Sequence, residues 1–190
     1  FINAIRKSNK PIILVINKVD ADSHNQLINE FYSLGIKNMV SVSAEHDKGI
    51  DDLKEKILNI YKSFNKNKFK EKKKIIENSE NEDNKNLEEF IAEKDKINIA
   101  IVGKPNAGKS TLLNTLIGKE RSIVSNIAGT TRDPIDETFN FNGNEICLID
   151  TAGIRKKKNV NSDIEYYSVN RAIKSIEASD VCILMLDVFE

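Results

Sequence analysis

Short unbroken apolar runs alternate along the chain with stretches in which apolar residues recur every three or four positions. Ile12–Ile16, Ile97–Val102 and Val181–Leu186 are runs of the first kind, rich in β-branched residues. They predict strands buried on both faces, as in a parallel sheet. Met39–Val42 predicts a further short strand. Helical spacing connects Leu27, Ile28, Phe31 and Leu34, with Ser23 as the expected cap and Gly35 as the stop. The same spacing links Ile50, Leu53, Ile57, Leu58 and Tyr61, and then Leu112, Leu113, Leu116 and Ile117. Residues 1–9 look like the tail of a helix ended before Pro11. A last helix is expected from about Glu165 to Ala178. Thr138–Phe141 and Ile146–Ile149 flank Asn142-Gly143-Asn144 and predict a β-hairpin. Strands and helices in this alternation define an α/β protein with three layers and a mostly parallel sheet.

Composition alters this picture at one place. Seven of the thirteen residues 62–74 are lysine, and Glu and Asn dominate from Glu77 to Glu89. With so little to bury, residues 62–95 are expected to be a mostly disordered, solvated linker, with contact between the lysine block and RNA or a partner as the alternative. Elsewhere, 190 residues at 39% hydrophobic suit one domain or two partial ones. Lys plus Arg and Asp plus Glu both number 29, so net charge gives no general attraction to nucleic acid, and DNA is not an expected partner. Cys147 and Cys182 each sit in an apolar run, which fits buried reduced thiols in the cytoplasm. No apolar run approaches membrane-spanning length, and no signal peptide opens the chain. The chain begins at Phe1 and stops just after a strand-like run, so both ends read as cut.

The chemistry concentrates where the strands end. Ile97–Val102 runs into Gly103-Lys104-Pro105-Asn106-Ala107-Gly108-Lys109-Ser110-Thr111 and then into a helix. Strand, G-x-x-x-x-G-K-S loop and helix together make a phosphate-binding loop. The glycines let the backbone wrap phosphate oxygens, and the loop N–H groups and helix start present positive partial charge. Lys109 is expected between the β- and γ-phosphates, and the Ser110 hydroxyl on Mg2+. Asp150-Thr151-Ala152-Gly153 follows the later hairpin strand about forty residues on. Asp150 has the placing of the second Mg2+-organising acid of a nucleoside triphosphatase, acting through water, while the Gly153 N–H can sense the γ-phosphate. Thr130 and Thr131 lie between the two elements; one hydroxyl, with Thr131 preferred, is expected to complete the Mg2+ shell.

Asn17-Lys18-Val19-Asp20 ends the first strand, and Ser43-Ala44 ends the next. An Asp20 carboxylate can accept hydrogen bonds from guanine N1–H and its 2-amino group, donors that adenine lacks. Unmatched polar groups of this kind give discrimination of about 10⁴ or more. Lys18 can lie across base and ribose, Asn17 can tie the base site to the phosphate loop, and the Ser43-Ala44 backbone can donate to guanine O6. His24 and His46 sit among polar residues and are expected to be solvated surface.

Taken together these pieces resemble the GTPases of the translation-factor-related class. In detail they are similar to the Der (EngA) family of bacterial GTPases, which carry two G domains in tandem. Gly103–Thr111, Ala128–Asp133, Asp150–Ile154 with its basic run, Ile164–Ile176 and Val181–Asp187 carry the likeness to a second G domain. The resemblance implies that residues 1–61 are the end of a first G domain, 62–95 an interdomain linker, and 96–190 the start of a second. It implies a GTP-hydrolysing factor in assembly of the large ribosomal subunit, using GTP or GDP and Mg2+, monomeric when intact. Ile154 stands where Ras-like GTPases carry a water-orienting Gln. Related families with a hydrophobic residue there use K+ at the phosphates, which would make Asn106 a K+ ligand. Two alternatives stand beside this. One is a circularly permuted ribosome-assembly GTPase, since the guanine motif precedes the phosphate loop here. The other is a nucleotide-dependent binding switch with negligible turnover. The two partial G domains are also complementary. A flexible linker of about 34 residues reaches about 30 Å, enough for strand 12–16 to lie beside strand 181–186 in one hybrid domain; the alternative is two incomplete halves with exposed sheet edges, prone to aggregate.

Overall fold

The computed structural model describes residues 2–77, 96–118, 136–155 and 164–189. Its strands are β1 (Ile12–Asn17), β2 (Met39–Ser41), β3 (Lys96–Gly103), β4 (Glu137–Phe141), β5 (Asn144–Leu148) and β6 (Val181–Asp187). Its helices are α1 (Ile2–Lys7), α2 (Asn25–Phe31), α3 (Ile50–Glu77), α4 (Lys109–Gly118), α5 (Thr151–Arg155) and α6 (Ile164–Ala178). All six strands join one sheet in the order β2-β1-β6-β3-β5-β4. Among the described strand pairs only the β4–β5 hairpin is antiparallel. β1 runs along β6 from Ile12 opposite Cys182 to Asn17 opposite Asp187. The segments before and after the charged stretch therefore share a sheet, with strand 12–16 beside strand 181–186.

The period of two along each strand divides the core into two layers. Ile13 and Val15 face the same way as Ile99, Ile101, Ile183 and Met185. That side is covered by Leu53 and Ile57 of α3 and by Leu112, Leu113 and Leu116 of α4. Leu14, Ile16, Val102 and Leu184 face the other way, under Ile5 of α1, Phe31 of α2 and Ile176 of α6. Full burial of one such side chain contributes about 1.5–3 kcal/mol. Removing either end of the chain would thus strip apolar partners from both layers of the other.

Two elements differ from the sequence reading. The helix expected to start at Ser23 opens instead with a 3₁₀ turn, Asp22–His24, and closes with another, Tyr32–Leu34. His24 takes the cap position of α2 without a side-chain cap bond, because its ring is used elsewhere. The stop holds: Gly35 has φ 65° and its N–H bonds Tyr32 O at 3.0 Å. The second difference is α3, which continues through Glu77, past Lys62 where the linker was expected to begin. Residues 62–77 contain neither Gly nor Pro. Residues of the Lys, Glu and Ile types extend an existing helix at little cost. Residues 78–95 lie outside the described residues.

Lys54 is a charged residue inside the core, 2% exposed. Its ammonium is 3.6 Å from Asp51 Oδ1 and 5.3 Å from the Phe141 ring centre. The aromatic face of the hairpin offers it a partner in place of water. Both thiols are buried and reduced. Burial raises the Cys147 pKa and pushes that of Cys182 up to about 12. Both are therefore neutral near pH 7 and act as small apolar groups.

Candidate functional site

β3 delivers Gly103 at the centre of the sheet's carboxyl edge, where ligands bind in open α/β sheets. Gly103 takes φ 153°, and a Cβ there would stand 2.2 Å from Met185 O. Gly108 takes φ 96°, and a Cβ there would stand 2.1 Å from Asn17 Nδ2. Neither position admits a side chain, so the loop can close tightly around a ligand. Lys104, Pro105 and Asn106 form its exposed rim, with Asn106 left-handed at φ 65°. Ala107 is fully buried beneath it. Lys109 donates to Gly103 O at 2.7 Å and to Lys104 O, which holds the ammonium at the mouth of the loop. Ser110 and Thr111 follow, exposed on the first turn of α4.

Asn17 joins this loop to the first segment. It is 3% exposed at the end of β1. Its Nδ2 donates to Ala107 O at 2.9 Å, and its Oδ1 accepts from Ala44 N at 3.0 Å. One amide thus links residues 90 positions apart on one side and 27 on the other. Thr115 of α4 adds a second tie, its hydroxyl 2.8 Å from Ala44 O. Asp20 lies exposed beyond Asn17, and its Oδ1 accepts the Ser43 hydroxyl. Lys18 is left-handed at φ 66°, with its ammonium 2.5 Å from Asp187 Oδ2. His24, expected as solvated surface, is half-buried. Its Nδ1 lies 3.1 Å from Lys18 O and 3.3 Å from Asp20 N, and its ring meets Phe189 edge-on at 5.0 Å. It braces the turn that carries Asp20. Polar neighbours in sequence gave no sign of this, because the contact with Phe189 spans nearly the whole chain.

The third group is turned differently. Ser110 donates its hydroxyl to Ile154 O at 2.8 Å. The Asp150 carboxylate faces α6, where Arg171 Nε lies 2.6 Å from Oδ1 and 2.8 Å from Oδ2, and Ser175 donates to Oδ2 at 3.0 Å. Asp150 and Ser110, expected to share one ion, thus each have a protein partner. Thr151 is buried, Ala152 and Ile154 are half-buried, and all three belong to α5 with Gly153. Thr130 and Thr131 lie outside the described residues, as does most of the basic run after Ile154. Arg171 and Ser175 carry no motif of their own; only their i, i+4 spacing facing Asp150 would have marked them. The Ser110 hydroxyl and the Asp150 carboxylate are donors of a kind that suits a hard divalent cation. Using both requires the side chains to leave their present partners.

A glycine-lined loop between strand and helix, joined by one buried amide to an Asn-Lys-x-Asp turn, on a sheet with one antiparallel hairpin, defines a P-loop GTPase fold. A family profile described as "50S ribosome-binding GTPase" matches residues 98–190. Over nearly its whole length the chain also matches "GTPase Der" proteins. It is 40% identical to that of Caldicellulosiruptor saccharolyticus over 185 residues, 97% of this chain and 37% of the relative. It is 44% identical to that of Clostridium kluyveri over 183 residues, 96% of this chain and 36% of the relative. It is 42% identical to that of Fusobacterium nucleatum over 187 residues, 98% of this chain and 37% of the relative. The chain is thus similar to the Der sequences along nearly all of its length, and it spans about 37% of the length of the curated relatives it matches.

Proposed function

We propose that this chain binds guanine nucleotides in one composite site, with base-reading groups from the first segment and phosphate-binding groups from the second. The observation that carries this is Asn17, whose amide bonds Ala107 of the phosphate loop and Ala44 of the base loop together. Asp20 would read guanine N1–H and the 2-amino group, with Ser43 fixing its rotamer, and Lys18 would cover the base. The Gly103–Thr111 backbone would cradle the phosphates, with Lys109 leaving its loop carbonyls to bind the β- and γ-oxygens.

In the longer protein we propose hydrolysis of GTP to GDP and phosphate, in the cytoplasm, during assembly of the large ribosomal subunit. Residues 1–61, 62–95 and 96–190 would there be the end of a first G domain, a linker and the start of a second. Ser110 and Asp150, with Thr131, would hold Mg2+, which supplies charge neutralisation at the phosphates. Asn106 would be a K+ ligand in the same loop. Gly153 would report the γ-phosphate through its N–H. Among the described residues no helix is long and apolar enough to cross a membrane.

A second reading is a binding switch with negligible turnover, favoured by Ile154, which cannot orient water. Single-turnover hydrolysis of GTP separates the two. The enzymatic reading expects phosphate release by the longer protein that rises with K+ and with large ribosomal subunits and disappears in Lys109→Ala. Nucleotide binding without phosphate release under any of these conditions would leave the switch.

A further inference from the structure

We propose that Arg171 and Ser175 form a latch on α6 that competes with a divalent cation for the Asp150 carboxylate, and so sets how tightly the metal is held. The proposal rests on reading Asp150 and Ser110 as metal-site residues. Both carboxylate oxygens are engaged: Arg171 Nε stands 2.6 and 2.8 Å from them, Arg171 Nη2 also contacts Oδ1, and Ser175 donates to Oδ2 at 3.0 Å. Arg171 and Ser175 are four residues apart on α6, so they meet one partner from the same helix face. The Asp150 backbone is left-handed at φ 58°, a conformation Asp adopts more readily than most residues, and its N–H bonds Asp136 Oδ1 at 3.1 Å. The second donor is tied to the same element, through the Ser110 hydroxyl on Ile154 O at 2.8 Å.

An arginine fork and a divalent cation use the same carboxylate lone pairs. An oxygen turned to Arg171 and Ser175 is therefore withdrawn from an ion at Ser110. The Arg171 side chain is 46% exposed and that of Asp150 24%, so solvent screens the pair and the latch is weak enough to open. A latch of that strength biases metal affinity without abolishing it.

Mn2+ tests this directly. It is titrated into the chain saturated with GDP, after GDP binding itself has been established, and free Mn2+ is read by electron paramagnetic resonance. Arg171→Ala is expected to tighten Mn2+ binding by about threefold to tenfold, since removing a competitor shifts the equilibrium by its own bias. Ser175→Ala is expected to tighten it less, and Arg171→Lys, which has no fork, to fall between wild type and Arg171→Ala. Asp150→Asn is expected to weaken Mn2+ binding and to cancel the effect of Arg171→Ala in the double variant. Unchanged or weaker Mn2+ binding in Arg171→Ala, with the expected loss in Asp150→Asn, overturns the latch and leaves the metal reading standing. Unchanged binding in Asp150→Asn overturns both. If Arg171→Ala does not fold, Ser175→Ala and Arg171→Lys decide between the same outcomes.

Discussion

Asp20→Asn is expected to lower affinity for GDP by about a hundredfold to ten-thousandfold, the range for a polar group that meets the wrong partner. The Asp20 carboxylate accepts from Ser43 through one oxygen, and the turn that carries it is braced by His24 and Asp187. An amide keeps the Ser43 contact and the shape of the turn. It loses the paired acceptors that guanine N1–H and the 2-amino group require, and sets a donor against a donor. The melting temperature without nucleotide should therefore stay within a degree or two, because the residue is exposed and contributes little to the core. A base with a carbonyl in place of the 2-amino group should recover binding. Fluorescence titration of GDP and its xanthine counterpart checks both, and equal GDP affinity in variant and wild type would remove Asp20 from the base site.

Asn17→Ala is expected to act on stability and binding together. Asn17 is 3% exposed and its amide bonds Ala107 O and Ala44 N. Truncation leaves a carbonyl and an N–H unpaired in a buried place, at about 1–3 kcal/mol each. The melting temperature should fall by about 5–15 °C for a cost of that size. GDP affinity should fall more than tenfold as well, since the two loops lose their common anchor. Thermal melts with and without GDP measure both. An Asn17→Ala variant that melts like the wild type would mean that the two segments are held by sheet packing alone.

The strands were legible because parallel strands buried on both faces leave continuous runs such as Ile12–Ile16 and Val181–Leu186. The phosphate loop and the Asn-Lys-x-Asp turn were legible because backbone geometry and hydrogen-bond chemistry demand particular residues at fixed spacing. The partner of β1 was legible only through complementarity of the segments before and after the charged stretch, since no local signal records a pairing between residues 170 positions apart, as Ile12 and Cys182 are. The extent of α3 was hidden by composition: a lysine-rich stretch with nothing to bury looks like a linker, yet helix propagation needs no burial. Lys54 was hidden for the opposite reason, since it lies on a helix face whose apolar neighbours are Leu53, Ile57 and Leu58 and pairs with rings from the distant hairpin. The bonds of Asp150 to Arg171 and Ser175 were out of reach as well. The motif identifies Asp150, but which way its carboxylate turns depends on a helix placed by the whole fold.

Base-reading and phosphate-binding groups from two segments are proposed to meet in one site. Calorimetric titration of this chain with GDP and with ADP, both in Mg2+, tests it most directly. One saturable GDP site of micromolar affinity is expected, with ADP at least about a hundredfold weaker. GDP and ADP binding with equal affinity would contradict it, since the phosphate loop would then be working without Asp20.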